Sequence, residues 1–298
     1  MKLLIIGGTG FFGKSILDYL IKNNFLKFNL DKIIVFSRNT DSFIQNYPEL
    51  KNEKITYLNG DISKIYNIPE ADLIIHAASS SNKEKYIHNS SLEKSNNEES
   101  VFNFCKIIRK IKTNTKILYC SSGAVYGQQP SNVLKIKEDF VFQNVDTLEK
   151  DKRDYALSKR NAEKMIQELG KDGYNVSIAR CFAFFGKYLP KDQHFAYGNF
   201  IKQAENKNDI KVNAKHQVIR SYMHADDLVE SLIKIANNAS PKCPIYNVGS
   251  DEAISIEELA NKIAKQYNVN VIKPLNIDSK IIDRYVPSIN KLNKLMSK

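Results

Sequence analysis

The chain predicts an α/β fold, a doubly wound parallel sheet with a smaller mixed α/β lobe towards the C-terminus. Three observations carry that expectation. Short, strongly apolar runs alternate with helical patterns through the first 180 residues. The first of these runs is followed at once by glycines at every third position, Gly7, Gly10 and Gly13. After Arg180 the alternation stops, and glycine, proline and aromatic residues cluster over 182–200.

The expected strands are Leu3–Ile6, Lys32–Phe36, Lys54–Leu58, Asp72–His76, Lys116–Cys120 and Asn175–Ala179. Each is short and rich in Ile, Leu or Val, as strands buried on both faces of a parallel sheet must be. The expected helices are Phe12–Lys22, Asn97–Lys112 and Tyr155–Leu169. Right-handed crossovers would place the C-terminal ends of all these strands on one edge of the sheet, where ligands bind. In the second half, Ile245–Val248 is a solitary strand-like run. Ser255–Tyr267 reads as a helix opened by a capping box, Ser255-Ile256-Glu257-Glu258. The first unit is expected over 1–180 and the lobe over 181–298, with segments around 221–249 as candidates to return to the first unit.

Composition narrows the setting. The chain has 298 residues, 42% of them hydrophobic and 26% charged, enough to bury a substantial core. No apolar stretch approaches the roughly 20 residues that span a bilayer, so no membrane partner is expected. The N-terminus begins with a strand rather than a signal peptide. Cys105, Cys120, Cys181 and Cys243 are scattered, without a CxxC spacing. They read as reduced thiols of a cytoplasmic protein, and no metal site is expected. The net charge of +11 favours anionic partners, phosphorylated metabolites among them. It is spread along the chain without a dense basic block, so nucleic acid is not an expected partner.

The glycine run has a physical meaning. A tight turn, close approach of backbone to a pyrophosphate and close packing of helix on strand all exclude side chains. Free N–H groups and the positive end of the helix dipole then face the phosphates. Gly7, Thr9, Gly10, Phe11, Phe12 and Gly13 are therefore candidate cofactor residues. The second strand ends in Ser37-Arg38, where an acidic residue would select NAD by binding both ribose hydroxyls. An arginine beside a hydroxyl suits a 2′-phosphate instead, so NADP(H) is the expected cofactor and NAD(H) the alternative. Asp61, with Ile62, follows the third strand and can accept a bond from the adenine. Ala77, Ala78 and Ser79, after the fourth, are small enough to let backbone approach the cofactor. His76 reads as a satisfied core histidine.

Tyr155 and Lys159 stand four apart on an expected helix and so share a face. A free phenol, with a pKa of about 10, is a poor base at neutral pH. An ammonium and a positive nicotinamide nearby would favour its phenolate. Ser122, at the end of the fifth strand, can hydrogen-bond a substrate oxygen beside the tyrosine.

With these elements in order, the chain resembles the extended short-chain dehydrogenase/reductases of the NAD-dependent epimerase/dehydratase group. The supporting stretches are GGTGFFG at 7–13, NGDI at 59–62, DLIIHAAS at 72–79, SSGAVYG at 121–127, YALSK at 155–159 and RSYMHADDL at 220–228. The resemblance implies a Rossmann domain with bound NAD(P) and a lobe for a nucleotide-diphosphate sugar. It makes Tyr155 the acid/base, Lys159 its pKa tuner and ribose ligand, and Ser122 the polariser. It places Asn97 near the cofactor, Arg220 and Arg284 at the substrate diphosphate, and Asn199 at the nucleotide. It also implies a homodimer through paired helices, such as those from Asn97 and Tyr155, with a monomer as the alternative.

The chain departs from that pattern twice. Members that dehydrate sugars resemble Thr-Asp-Glu where this chain has Ser122-Gly123-Ala124. Gly and Ala cannot titrate, which argues against 4,6-dehydratase activity. Many members carry Asn where this chain has Ala183. The expected activity is reduction of a nucleotide-linked 4-keto sugar. The alternatives are 4-epimerisation with a tightly held cofactor and, on the same fold, a non-catalytic NADP-binding protein.

Overall fold

Leu3, Leu4, Ile5 and Ile6 are buried in strand β1 (Lys2–Ile6), as an uninterrupted apolar run at the middle of a parallel sheet requires. In this computed structural model, which describes residues 1–80, 83–111, 114–191, 195–275 and 278–297, the other expected strands follow. They are β2 (Lys32–Ser37), β3 (Ile55–Asn59), β4 (Leu73–His76), β5 (Lys116–Ser122) and β6 (Val176–Cys181). With Ile245–Val248 they form a seven-stranded sheet in the order Ile245–Val248, β6, β5, β4, β1, β2, β3. All neighbours run parallel. The run that is solitary in the sequence is thus an edge strand of the main sheet. Its partner, β6, lies more than 60 residues earlier, beyond the reach of local patterning.

The helices are α1 (Phe11–Lys22), α2 (Thr40–Asn46), α3 (Lys83–Ile111), α4 (Lys150–Lys171), α5 (Ala196–Glu205), α6 (Ala225–Asn237), α7 (Ile256–Tyr267) and α8 (Asn290–Met296). Ile16 and Leu20 of α1, Leu228 and Leu232 of α6 and Leu292 of α8 cover one face of the sheet. Val101, Phe104 and Ile108 of α3 with Ala162, Ile166 and Leu169 of α4 cover the other. This is the doubly wound arrangement. It places the crevice beyond the C-terminal ends of β1 and β4, where strand order reverses.

The expected helix over Asn97–Lys112 begins earlier, at Lys83, and breaks at Asn89 (φ −154°, ψ 78°). The Asn89 side chain accepts the Leu92 N–H at 3.1 Å and so caps the second half. The polar composition of 83–96 hides this helix from apolar periodicity, and Lys112 lies outside the described residues. The lobe has its own core, with Phe200 and Ala204 of α5 packed on Leu259, Ala260 and Ile263 of α7. Helix α7 opens with the expected capping box between Ser255 and Glu258. All four cysteines are buried free thiols. Among the described residues no helix is long and apolar enough to cross a membrane.

Candidate active site

The glycine turn divides its three positions between two tasks. Gly7 adopts φ +81°, and a Cβ there would stand 2.5 Å from the Ala78 backbone at the exit of β4. A Cβ on Gly13 would stand 2.0 Å from the Gly8 carbonyl oxygen. These two glycines let protein pack on protein. Gly10 differs, because the nearest atom to its absent Cβ is the Gly7 carbonyl oxygen at 3.6 Å. The space it leaves faces outward from an exposed turn at the start of α1. The first helical hydrogen bond runs from Lys14 N–H to the Gly10 carbonyl at 3.0 Å, so the earlier N–H groups of the turn lack helical acceptors. Thr9 and Ser37 share a hydrogen bond at 2.7 Å that ties this turn to the end of β2. Phe12 packs edge-on against Phe184 at 5.5 Å, with Phe11 beside both rings.

Around this cradle, Arg38 is exposed and its charge reaches Asp61. Burial opposes ionisation of Asp61. Hydrogen bonds from the Ser63 hydroxyl and N–H, with Arg38 near, nonetheless hold its carboxyl below the ordinary value. Ile62 is buried in the core against α3. The Ala77 N–H donates to Ile6 at 2.8 Å, closing the exit of β4 onto β1. Asn97 does not reach outward. Its Oδ1 accepts the Ser80 N–H at 2.9 Å, and its Nδ2 donates to the Tyr86 hydroxyl at 2.6 Å. It therefore fixes the loop that carries Ala77, Ala78 and Ser79.

Ser122, Tyr155 and Lys159 meet at the end of β5. The hydroxyl of Ser122, which accepts the Ala124 N–H at 3.2 Å, is near enough to the Tyr155 phenol to lower its pKa. The Tyr155 ring stands perpendicular to Tyr86, with centroids 5.5 Å apart. Lys159 is buried, donates to the Cys120 carbonyl at 3.1 Å and the Tyr119 hydroxyl at 3.3 Å, and lies 6.0 Å from the Tyr155 ring centroid. Burial lowers its pKa to about 8. Burial also raises the Tyr155 phenol above the ordinary range, against the opposing influence of Ser122. Desolvation is the largest influence on the phenol, and Lys159 spends its hydrogen bonds on β5. His76, also fully buried, is held neutral, its pKa lowered to about 3 by burial and the nearby Lys159. It is not satisfied: neither ring nitrogen has a partner among the described residues.

The substrate-side candidates divide. Arg220 is gripped by Asp283, Nη2 to Oδ2 at 2.7 Å and Nη1 to Oδ1 at 3.2 Å, and its Nη1 also donates to the Ile219 and Asp283 carbonyls at 2.9 Å. Arg284 lies on the neighbouring strand, Asp278–Tyr285, paired in register with Ile219, and its buried Nε has no partner among the described residues. Asn199 lies on α5.

Sequence reasoning missed a buried ionic cluster beneath the site. Glu163, one further helical step along the Tyr155–Lys159 stripe, accepts from Ser121 at 2.6 Å and from Arg180 Nε and Nη2 at 3.0 and 2.8 Å. Arg180 also donates to the Tyr126 hydroxyl at 2.9 Å, which bonds Asn247 at 2.7 Å. The four-residue spacing was a usable signal for Glu163. Its partners come from other strands and gave none.

Comparison with known proteins decides the family. The model of the "NAD dependent epimerase/dehydratase family" matches residues 3–249. The chain belongs to that family. UDP-glucuronic acid decarboxylase 1 of Danio rerio is 27% identical over 269 residues, covering 88% of this chain and 60% of its own. Among solved structures, the UDP-N-acetylglucosamine 4-epimerase from Methanobrevibacter ruminantium M1, in complex with UDP-N-acetylmuramic acid, matches with a TM-score of 0.81 at 19% identity over 100% of this chain and 92% of that one. DesIV, a dTDP-glucose 4,6-dehydratase from Streptomyces venezuelae with NAD and TYD bound, matches at 0.78 and 18% identity over 99% and 90%. At these identities the structural likeness is one of fold. The residues of this epimerase/dehydratase family member fit a dinucleotide. Packed Gly7 and Gly13 flank an open Gly10 at a helix N-terminus, a cradle that any side chain at position 10 would fill.

Proposed function

We propose that this protein is an NADP(H)-dependent oxidoreductase that reduces the 4-keto group of a nucleotide-linked sugar. The observation that carries the reading is the Tyr155 phenol, kept above its ordinary pKa by burial, beside Lys159 and the end of β5 on the sheet edge that the glycine cradle shares. A bound nicotinamide supplies the hydride. The chain supplies the rest. The turn at Gly10 binds the pyrophosphate, Ser122 donates to the carbonyl oxygen, and Tyr155 delivers its proton to that oxygen. The Lys159 ammonium then stabilises the phenolate left behind. Arg284, with a buried unpaired Nε, suits the substrate diphosphate, and Arg220 shares its sheet. Gly123 and Ala124 offer no carboxyl for expelling water, which sets dehydration aside.

A second reading, 4-epimerisation, uses the same residues and is favoured by the whole-chain fold match to an epimerase. One assay separates the two. Purified protein is mixed with NADPH and UDP-, dTDP-, CDP- and GDP-linked sugars, each as the 4-keto and as the 4-hydroxy form, and both cofactor absorbance and the C4 epimers are followed. Stoichiometric loss of NADPH is the expected result. Sugar interconversion without loss establishes the epimerase, and inertness towards every sugar overturns both readings.

The cofactor preference has its own test. Charge-assisted bonds from Arg38 to a 2′-phosphate are worth about 1.5–3 kcal/mol, so Arg38→Asp should weaken NADPH binding roughly 10- to 100-fold and favour NADH. The chain has no tryptophan, which leaves NADPH fluorescence as a clean titration signal. A wild type that prefers NADH refutes the assignment of Arg38.

A further inference from the structure

Asp283 grips Arg220 along one edge of its guanidinium and leaves another edge open. A guanidinium is planar and carries five N–H donors in a fixed fork geometry. Nη1 is spent on the Ile219 and Asp283 carbonyls at 2.9 Å and on Asp283 Oδ1 at 3.2 Å. Nη2 gives one proton to Asp283 Oδ2 at 2.7 Å. The carboxylate therefore sits across the end of the group. Nε–H and the second Nη2–H have no acceptor among the described residues. They lie side by side on the next edge, a fork suited to two oxygens of one phosphate. An arginine only donates, so these bonds have a single direction.

Strand register places the pair. Arg220 ends the strand His216–Arg220 and is the register partner of Tyr285, which ends Asp278–Tyr285. Register partners point to one face of a sheet, and so do residues two apart on a strand. Arg220, Tyr285 and Asp283 thus share a face. On that face the Tyr285 oxygen lies 2.6 Å from where a Cβ of Gly123 would stand, next to Ser122 at the end of β5. The gripped arginine belongs to the face of the lobe that meets the candidate active site.

The pair is too open to serve mainly as a staple. The Arg220 and Asp283 side chains are 23% and 42% exposed, and a pair so accessible to water contributes little to folding. What it supplies is direction. An arginine loses rotamer freedom when it binds a phosphate, and less is lost when the group is already fixed. The two backbone carbonyls hold Nη1 alone and let the plane turn about that point. The carboxylate adds the second point, at Nη2, and stops the rotation.

We propose that Asp283 is the positioning residue of Arg220, holding the end of its guanidinium so that Nε and Nη2 receive one phosphate of the substrate diphosphate. This rests on the nucleotide-sugar reading above. The carboxylate and the phosphate do not compete, because they occupy different edges. No bond is made or broken at Asp283, and its effect passes through Arg220 alone.

Calorimetry with UDP, dTDP, CDP and GDP reads the fork without turnover. For a nucleoside diphosphate that the wild type binds, Asp283→Ala should weaken binding about 3- to 10-fold at about 0.15 M salt. Arg220→Met should weaken it about 10- to 100-fold. In the Arg220→Met background, Asp283→Ala should cost nothing further. Charge alone predicts the opposite sign, since removing a carboxylate near a bound anion tightens binding. A general loosening of the lobe predicts the same loss in both backgrounds. Either of those results, or an unchanged affinity, overturns the proposal. In turnover, KM for the sugar should rise by the same factor at constant kcat, and a fall in kcat instead also overturns it. Should Asp283→Ala fail to fold, Asp283→Asn gives the same comparison, since it keeps the shape but cannot accept at both positions. A wild type that binds none of the four diphosphates defeats the nucleotide-sugar reading and this proposal together. Affinities that shift as expected beside a failed sugar assay condemn the assigned reaction and leave the role of Asp283 standing.

Discussion

Tyr155→Phe should lower kcat by roughly 10²- to 10⁴-fold, the usual share of a positioned proton donor, while cofactor affinity stays nearly unchanged. The separation is expected because the hydroxyl alone is removed. The edge-on contact of the ring with Tyr86 survives, and Lys159 remains anchored to Cys120 and Tyr119 rather than to the phenol. The variant should therefore bind NADPH and fail to use it. Steady-state rates beside fluorescence titration check both halves, and an unaffected rate removes Tyr155 from the chemistry. The same arrangement gives the wild type a pH dependence. Lys159 is a cation below its value of about 8 and neutral above it. In the proposed reduction this cation stabilises the phenolate left on Tyr155, so kcat should fall as pH rises through that value. A rate that climbs there contradicts the role given to Lys159.

Glu163→Ala should cost about 3–5 kcal/mol of folding stability, because it strands a buried guanidinium. Arg180 and Glu163 are 4% and 3% exposed, and water cannot replace the lost carboxylate. Burial alone would disfavour the charge on Arg180, yet Glu163 and Tyr126 hold it firmly protonated. Replacing both partners together, Glu163→Leu with Arg180→Met, should recover much of the loss, since the charge and its counter-charge leave together. Urea unfolding of the single and double variants is the measurement. A single variant that loses less than about 1 kcal/mol, the scale of an exposed pair, would mean that the pair is solvated.

Much of the architecture was legible in the sequence because its signals are local. An apolar run, a glycine turn and an amphipathic helix each report their own conformation within a dozen residues. The strands β1 to β6, the turn at Gly7–Gly13 and the shared face of Tyr155 and Lys159 all belong to that class. Where a signal was diluted, the reading slipped. Helix α3 starts in a polar stretch whose apolar face is thin, and it breaks at Asn89 through a side-chain cap that periodicity does not register.

By itself the sequence determined the doubly wound sheet, the place of the glycine turn and the family to which the chain belongs, since these rest on residues near one another in the chain. Only the tertiary structure decided that Ile245–Val248 joins the sheet, that Arg220 is gripped by Asp283, that Glu163 neutralises Arg180 and that Tyr285 packs against Gly123. Those partners are separated by up to about 160 residues, and no local propensity encodes such a meeting. What brings them together is the exclusion of water from a common core, where a buried donor or charge must find its partner wherever the chain has placed one.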